Sequence, residues 1–337
     1  MTRMRMFKAR AGHLCALLLM LLPAMAAAKT FPLPPADNDV VGEVQIVKAK
    51  PDETLLDIGR RYGVGYQEMR EANPDLDMWI PGVGARVVVP TRYVLPDAPR
   101  KGLVLNLPEM RLYYYPPAKP GEKRTVETYP VSIGRMDWST PLGRTQIVAK
   151  IRDPAWYPPK SIKNEAAKEG REVPDVVPAG PDNPLGQFAL RLGLPGYLIH
   201  GTNKPWGVGM RVSHGCVRMY PEDIKNLFKR IPVNTPVRIV NQPYKAGWAA
   251  GTLYLESHPL LEEQRGTHPV AIAPAVQVVA AALGNRDRRV DHDRIKAAMA
   301  RNSGMPVPIS RDDGASDRAV GAGAPAVASS DRVQSRR

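Results

Sequence analysis

The stretch YLIHGTNKPWGVGMRVSHGCVRM, residues 197–219, combines two histidines, several glycines and a cysteine. Its first residues, an aromatic followed by β-compatible side chains, predict a buried strand that ends at His200, and Gly201 then turns the chain. The loop that follows is rich in glycine and long enough to fold back. We therefore expect Cys216 to return beside the imidazole of His200.

The tetrapeptide Ser213-His214-Gly215-Cys216 predicts a tight turn. Gly215 allows backbone conformations that direct consecutive N–H groups at one point beside the sulfur, as an oxyanion hole requires. A free thiol, with a pKa near ~8.5, is a poor nucleophile at neutral pH until a neighbouring imidazole takes its proton. The pattern indicates a cysteine active site with His200 as the base, lined by the rest of the turn.

Two other interpretations fit the same residues. Two histidines and a cysteine can bind zinc, but His214 and Cys216 lie only two positions apart, and no C-x-x-C or H-x-x-x-H pattern supplies further ligands. A lone cysteine is often just a small buried hydrophobe, yet the neighbours here are Ser, His, Gly and Arg. We expect no metal at this site.

The pattern H-G-T, a spacer, then S-H-G-C-V-R-M resembles the signature of the YkuD-type L,D-transpeptidases. The resemblance implies that Cys216 is the acylated nucleophile and that the main-chain carbonyl of Gly201 orients the base, His200. It also implies acylation by carbapenems and no cofactor. Three further residues are expected to bind substrate: Thr202, Trp206 and Arg218.

The chain of 337 residues, with 43% hydrophobic content, has room for two domains. Its formal net charge of +14 favours acidic partners. No nucleic-acid motif accompanies that charge, so nucleic acid is not an expected partner. An anionic cell-wall polymer is a better match, although a merely solvated basic surface explains the charge equally well.

Residues 1–28 have the pattern of a secretory signal peptide: basic residues, a short apolar run, then small residues. The apolar run is too short to span a membrane comfortably, so no stable span is expected after cleavage. Cleavage would remove Cys15 and leave Cys216 unpaired in an exported, periplasmic protein. Residues 29–42, rich in proline, are expected to be a linker.

Residues 43–91 predict a β-α-α-β module, with helices at 54–62 and 66–72. The sequence PDETLLDIGRRYGVGYQEMREANPD, with PGVGARVVVP behind it, resembles a LysM domain, a family that binds N-acetylglucosamine-containing glycans. The familiar Gly-Asp-Thr-Leu turn is altered here to Asp52-Glu53-Thr54-Leu55. A purely structural role for the module therefore stays open.

Residues 92–101 are expected to be a connector, and a β-rich catalytic domain is expected over 102–241. Its short strands, separated by turns, indicate a mainly β fold, a sandwich or barrel. The strands are predicted near 103–107, 111–115, 126–133, 145–151, 197–200 and 236–240. A C-terminal extension (242–303) and a disordered tail (304–337) complete the chain.

The resemblance implies an exported transferase that acts on peptidoglycan tetrapeptide stems. It would release D-alanine and pass the stem to an amine, either a lysine of an outer-membrane lipoprotein or the diaminopimelate of another stem. One alternative is a cysteine peptidase or carboxypeptidase with water as the acceptor. The other is a non-catalytic peptidoglycan-binding protein.

Overall fold

The computed structural model describes residues 29–135, 138–266 and 271–311. The protein is mainly β. In chain order its strands are β1 Lys29–Pro32, β2 Val40–Gly42, β3 Gln45–Lys48, β4 Arg86–Val89, β5 Arg92–Val94, β6 Gly102–Asn106, β7 Arg111–Tyr115, β8 Thr125–Gly134, β9 Gly143–Arg152, β10 Phe188–Leu192, β11 Leu198–His200, β12 Arg211–Ser213, β13 Val217–Met219, β14 Pro236–Val240, β15 Tyr244–Ala249, β16 Thr252–Ser257 and β17 Val307–Pro308. Its helices are α1 Leu55–Tyr62, α2 Tyr66–Ala72, α3 Lys160–Lys168, α4 Pro221–Arg230, α5 Ala273–Leu283 and α6 His292–Arg301.

Eight strands form a closed, barrel-like circuit in the order β8-β13-β11-β10-β9-β14-β6-β7, and β7 pairs with β8 to close it. The two ten-residue strands, β8 and β9, each pair with different neighbours along their length. They therefore join the two halves of the barrel. The interior is a single apolar cluster, to which the helix α4 contributes Ile224 and Leu227. The predicted β class is confirmed.

The hairpin of β6 and β7 is buried on both of its faces. Leu103 and Leu105 enter the barrel core. Val104, on the opposite face, packs in a second cluster with Val41 of β2 and Tyr93 of β5. This double burial explains why the sequence of the hairpin is almost continuously apolar rather than alternating.

The segment before the barrel has the predicted β-α-α-β order, since β3 pairs with β4 around α1 and α2. Thr54 caps α1 through a reciprocal capping box with Asp57, and Gly63 ends the helix in a left-handed conformation. Leu55, Ile58 and other apolar side chains form the core of this N-terminal module.

Two segments expected to lack structure contain strands. In the expected linker, β1 pairs with β8 of the barrel, and β2 pairs with β5, which lies in the expected connector. Proline-rich sequence favours extended backbone, and extended backbone at the edge of a sheet can still pair through its free groups. Residues 29–42 and 92–101 therefore attach the module to the barrel.

The C-terminal extension packs as an α/β layer of β15, β16 and β17 with α5 and α6. The prediction of a disordered tail from residue 304 is wrong at its start, because β17 pairs with β16 and Ile309 is fully buried. The rest of that prediction, and the signal peptide over 1–28, lie outside the described residues. Within the described residues, no helix combines the length and apolar character needed to cross a membrane.

Candidate active site

The neighbouring strands β11 and β13 bring His200 and Cys216 together. They run parallel as direct neighbours, with Ile199 opposite Val217 and His200 opposite Arg218. Ile199 and Val217 belong to the barrel core. Because side chains alternate along a strand, His200 and Arg218 point to the other face of the sheet, and Cys216, one residue before β13, starts on that face too.

The turn before Cys216 depends on Gly215, whose φ is +97°. A Cβ atom there would lie 2.7 Å from the ring of Tyr197, which no real side chain tolerates. The hydroxyl of Thr140 donates to the Gly215 carbonyl (2.8 Å) and accepts from the N–H of Gly134 (3.1 Å). The segment around Thr140 therefore lies against the cysteine turn.

His200 is buried, with 3% of its surface exposed. Its Nδ1 lies 2.6 Å from the carbonyl oxygen of Gly201. A carbonyl can only accept, so Nδ1 carries the proton and Nε2 is left with a lone pair. Burial, helped by the nearby charge of Arg218, lowers the pKa of His200 to about 3, so the ring is neutral at physiological pH.

The thiol of Cys216 is half-buried, and it donates to the carbonyl oxygen of Gly196 at 3.6 Å. Burial raises the pKa of Cys216, while a backbone hydrogen bond from Leu198 and the charge of Arg218 act in the opposite direction. With His200 neutral and the thiol protonated, the resting pair is uncharged rather than a thiolate–imidazolium pair.

Arg218 stands on the same face without a carboxylate partner among the described residues. Its Nε is buried and makes no hydrogen bond to any of them. Burial lowers the pKa of Arg218. An unpaired guanidinium beside a cysteine is unusual, because removing an unpaired charge from water is costly.

The other two residues of the turn have defined partners. The Ser213 hydroxyl donates to the carbonyl of Cys216 and so closes the turn. His214 places its Nε2 2.7 Å from Glu165 of α3, and its ring packs against Trp138 with centroids 5.3 Å apart. Glu165 also pairs with Arg135, and Arg135 together with His214 lowers the pKa of Glu165 to about 2.

The two remaining predicted substrate residues lie further along the loop. Thr202 is buried, and its hydroxyl accepts the N–H of Lys204 at 2.9 Å. With Gly201 it lines a cavity of about 420 Å³ that Cys216 does not line. Trp206 lies in a single helical turn, 56% exposed. The structure therefore places His200, Cys216 and Arg218 at two adjacent strands, and leaves Thr202 and Trp206 further along the loop.

Sequence reasoning missed Glu165 and Arg135 as neighbours of His214. Nothing in the local sequence of Glu165 links it to a turn 49 positions away. Only the folded chain brings the two together.

Comparison with known proteins identifies the barrel. Residues 100–239 match the YkuD model, which describes an L,D-transpeptidase catalytic domain. The chain is 39% identical over 311 residues to the probable L,D-transpeptidase ErfK/SrfK of Escherichia coli (strain K12), covering 89% of this chain and 97% of the relative. It is also 39% identical over 293 residues to the probable L,D-transpeptidase YcfS of the same strain, covering 85% and 90%.

Both alignments extend far beyond the matched catalytic domain, so the similarity includes sequence on each side of the barrel. At this identity and coverage the relatives share one family. The chain belongs to the YkuD-type L,D-transpeptidase family, and it is a transpeptidase, an enzyme of the transferase class.

Proposed function

We propose that this enzyme transfers peptidoglycan tetrapeptide stems through a thioester on Cys216. The observation that carries the proposal is the shared face of β11 and β13. It presents a thiol, a neutral imidazole whose Nδ1 is bound to a carbonyl, and a guanidinium without a carboxylate partner among the described residues. Thiol and imidazole together favour nucleophilic catalysis, and the guanidinium favours an anionic substrate.

The first half-reaction forms the thioester. The sulfur of Cys216 attacks the carbonyl carbon of the diaminopimelate residue, and the thiol proton passes to Nε2 of His200. The tetrahedral intermediate collapses, the bond to D-alanine breaks, and His200 returns the proton to the departing amine. The Nδ1 contact with the Gly201 carbonyl (2.6 Å) supports this role, because it fixes the ring orientation and stabilises the transient imidazolium.

Backbone N–H groups of the cysteine turn are proposed to hold the oxyanion. The left-handed φ of Gly215 supports this role, since successive N–H groups converge in such a conformation. Ser213 and His214 shape the turn, one through the Cys216 carbonyl and the other through Glu165.

Arg218 is proposed to bind a carboxylate of the stem. Its position two residues past the nucleophile, on the same face, supports this assignment. The planar guanidinium can accept a carboxylate through two parallel hydrogen bonds, which fixes orientation as well as charge. Thr202 and Trp206 are proposed to contact substrate further from the reacting carbon, along the loop after His200.

In the second half-reaction an amine attacks the thioester, gives its proton to His200, and forms a new amide while the thiol is restored. We propose diaminopimelate of a second stem or a lysine of an outer-membrane lipoprotein as the acceptor. Both present a primary amine on a flexible chain, so the chemistry at Cys216 is the same for each.

We propose that residues 43–91 form a LysM-like domain that binds glycan. Its β-α-α-β order supports this assignment, and so does the loop before β4, which exposes Trp79 and Ile80, 56% and 81% accessible. Aromatic and aliphatic side chains of this kind commonly bind the faces of sugar rings. The residues 1–28 are proposed to direct export to the periplasm, where the substrate is found.

The test is incubation of the purified enzyme with a soluble tetrapeptide stem and an amine acceptor, followed by mass spectrometry. We expect release of D-alanine and a product with a new amide, and neither from Cys216→Ala. Release of D-alanine without the amide product would identify a carboxypeptidase. Full turnover by Cys216→Ala would refute the thioester.

A further inference from the structure

The N-terminal module packs against the loop that joins His200 to Cys216. The first two N–H groups of α2 donate to that loop: Tyr66 to the Val208 carbonyl (3.0 Å) and Gln67 to the Gly209 carbonyl (3.2 Å). These N–H groups have no acceptor inside their own helix. The loop therefore supplies the acceptors for the start of α2, and α2 in turn fixes two carbonyls of the loop.

The contact leaves no room for side chains. A Cβ atom on Gly209 would lie 2.3 Å from the Tyr66 nitrogen, and one on Gly65 would lie 2.9 Å from the Cα of Gly209. The backbones of module and loop touch directly here. Glycine at both positions is a steric requirement of the contact, since a methyl group on either one must push the two segments apart.

Two ion pairs hold the same module to the barrel and to the helix that follows the cysteine turn (residues 213–216). Arg60 of α1 binds Glu222 through two hydrogen bonds of 2.7 and 2.9 Å, and Glu222 lies in the first turn of α4, just after β13. Glu68 of α2 forms a buried, bidentate pair with Arg111 of β7. The module therefore contacts the segment before Cys216, the helix after it, and the barrel wall.

We propose that the N-terminal module positions the cysteine turn, with Gly65 and Gly209 as positioning residues for the transfer reaction. This inference rests on the proposed roles of His200 and Cys216. A module that serves only as a glycan tether gains from freedom of movement, because its benefit is a raised local concentration of substrate. Here backbone hydrogen bonds fix the module to the loop between the base and the nucleophile, and a buried ion pair fixes it to the barrel wall.

The test compares Gly65→Ala with Gly121→Ala, using a soluble tetrapeptide stem without glycan. Gly65 has an ordinary φ of −86°, so alanine adds no backbone strain there; its Cβ would meet the loop most closely, at 2.9 Å from the Cα of Gly209, and Pro130 of β8 at 3.2 Å. Gly121, in the turn after β7, has nothing within 4 Å of its Cβ position, so alanine there carries the backbone strain of its φ of +85° but does not touch the loop, and it controls for a destabilising methyl group placed away from the contact. We expect kcat of Gly65→Ala to fall about tenfold or more with KM nearly unchanged, because small displacements of reacting groups are costly. Gly121→Ala should match the wild type.

A second pair of variants covers the case in which Gly65→Ala does not fold. Arg60→Glu places like charges together at a partly exposed contact, and adding Glu222→Arg restores the pair in reverse. We expect kcat to fall in the single variant and to recover in the double variant.

Unchanged kcat on the soluble stem in folded Gly65→Ala, or in Arg60→Glu, would overturn the inference. If these variants lost only their binding to insoluble peptidoglycan, the inference would also be overturned, because the module would then act only as a glycan tether. If the wild-type enzyme itself does not turn over the stem, the proposed function fails instead.

Discussion

Arg111 and Arg218 both lie on barrel strands, but Arg218 is only partly buried and the surroundings of the two side chains differ. Arg111 is fully buried and satisfied: it pairs with Glu68, donates to Thr128 and to the Gly63 carbonyl, and stacks on a tyrosine ring. Arg218 has no such set, and its Nε makes no hydrogen bond to any described residue. The fold neutralises the cation that joins module to barrel and leaves the cation beside Cys216 without a carboxylate partner among the described residues.

The largest effect is expected from breaking the ion pair between Arg111 and Glu68. Arg111→Met leaves the carboxylate of Glu68 buried without a cationic partner, with only the N–H of Gly65 donating to it, which should lower the free energy of unfolding by about 3–5 kcal/mol. Denaturant unfolding measures this. The double variant Arg111→Met, Glu68→Leu removes both charges and should recover most of the loss. A single variant as stable as the wild type would mean that the pair contributes nothing.

His200→Ala removes the proposed base while leaving the barrel core untouched, because the ring lies on the face opposite Ile199. We expect the acylation rate to fall roughly a hundredfold or more. Stopped-flow or quenched-flow assays of thioester formation measure it. A near-normal rate would transfer the role of base to His214.

Replacing Arg218 should lower activity rather than stability, the opposite of replacing Arg111. Arg218→Met should lower kcat/KM tenfold to a hundredfold, the loss expected for about 1.5–3 kcal/mol of hydrogen bonding to a charged group. Its unfolding free energy should stay level or rise, because an unpaired cation no longer has to be withdrawn from water. Lost stability with full activity would make Arg218 a structural residue.

Acid should destabilise the site that holds His200. The pKa of His200 is lowered to about 3 in the folded protein, whereas an unfolded histidine titrates near ~6.5. Between those values the unfolded chain binds the additional proton, so stability falls as pH falls from about 6.5, by at most about 1.4 kcal/mol per pH unit. Unfolding curves at several pH values measure the slope, and His200→Gln should reduce it by this share. An identical slope in both proteins would contradict the buried neutral ring.

The smallest effect is expected at Glu165, which holds His214 from outside the barrel. Glu165→Gln keeps the shape but removes the charge that both His214 and Arg135 contact. Because the contact is partly exposed to solvent, we expect only about a twofold to fivefold loss in transfer rate. Increasing salt should lower the transfer rate of the wild-type enzyme toward that of the variant. A loss as large as that of His200→Ala would place His214 in the chemistry itself.

Local signals in the sequence were sufficient for elements that carry their own caps and periodicity. The helix α1, capped by Thr54 and ended by Gly63, was predicted over 54–62 from such signals. The strands β12 and β13 were missed, because each has three residues within a glycine-rich loop and is defined only by pairing to β8 or β11. The strand β10 was missed for a similar reason, since it follows a proline-rich excursion and pairs with β9 and β11.

The residues of the candidate site also divide into those that the local sequence indicates and those that only the tertiary fold brings together. Spacing and residue type indicated Cys216 and His200, because both lie in one short stretch with a recognisable chemistry. The carboxylate that holds His214 comes from Glu165, and the N–H groups that hold the loop come from α2. Contacts between segments so far apart depend on the tertiary fold, which no local pattern encodes.

The central claim is that Cys216 forms an acyl thioester. Intact-mass analysis of the enzyme after exposure to a carbapenem tests it most directly, with the modified peptide then located by fragmentation. We predict one adduct per wild-type chain, carried by the peptide that contains Cys216, and none on Cys216→Ala. A wild-type enzyme that stays unmodified, or an adduct that persists in Cys216→Ala, would contradict the account.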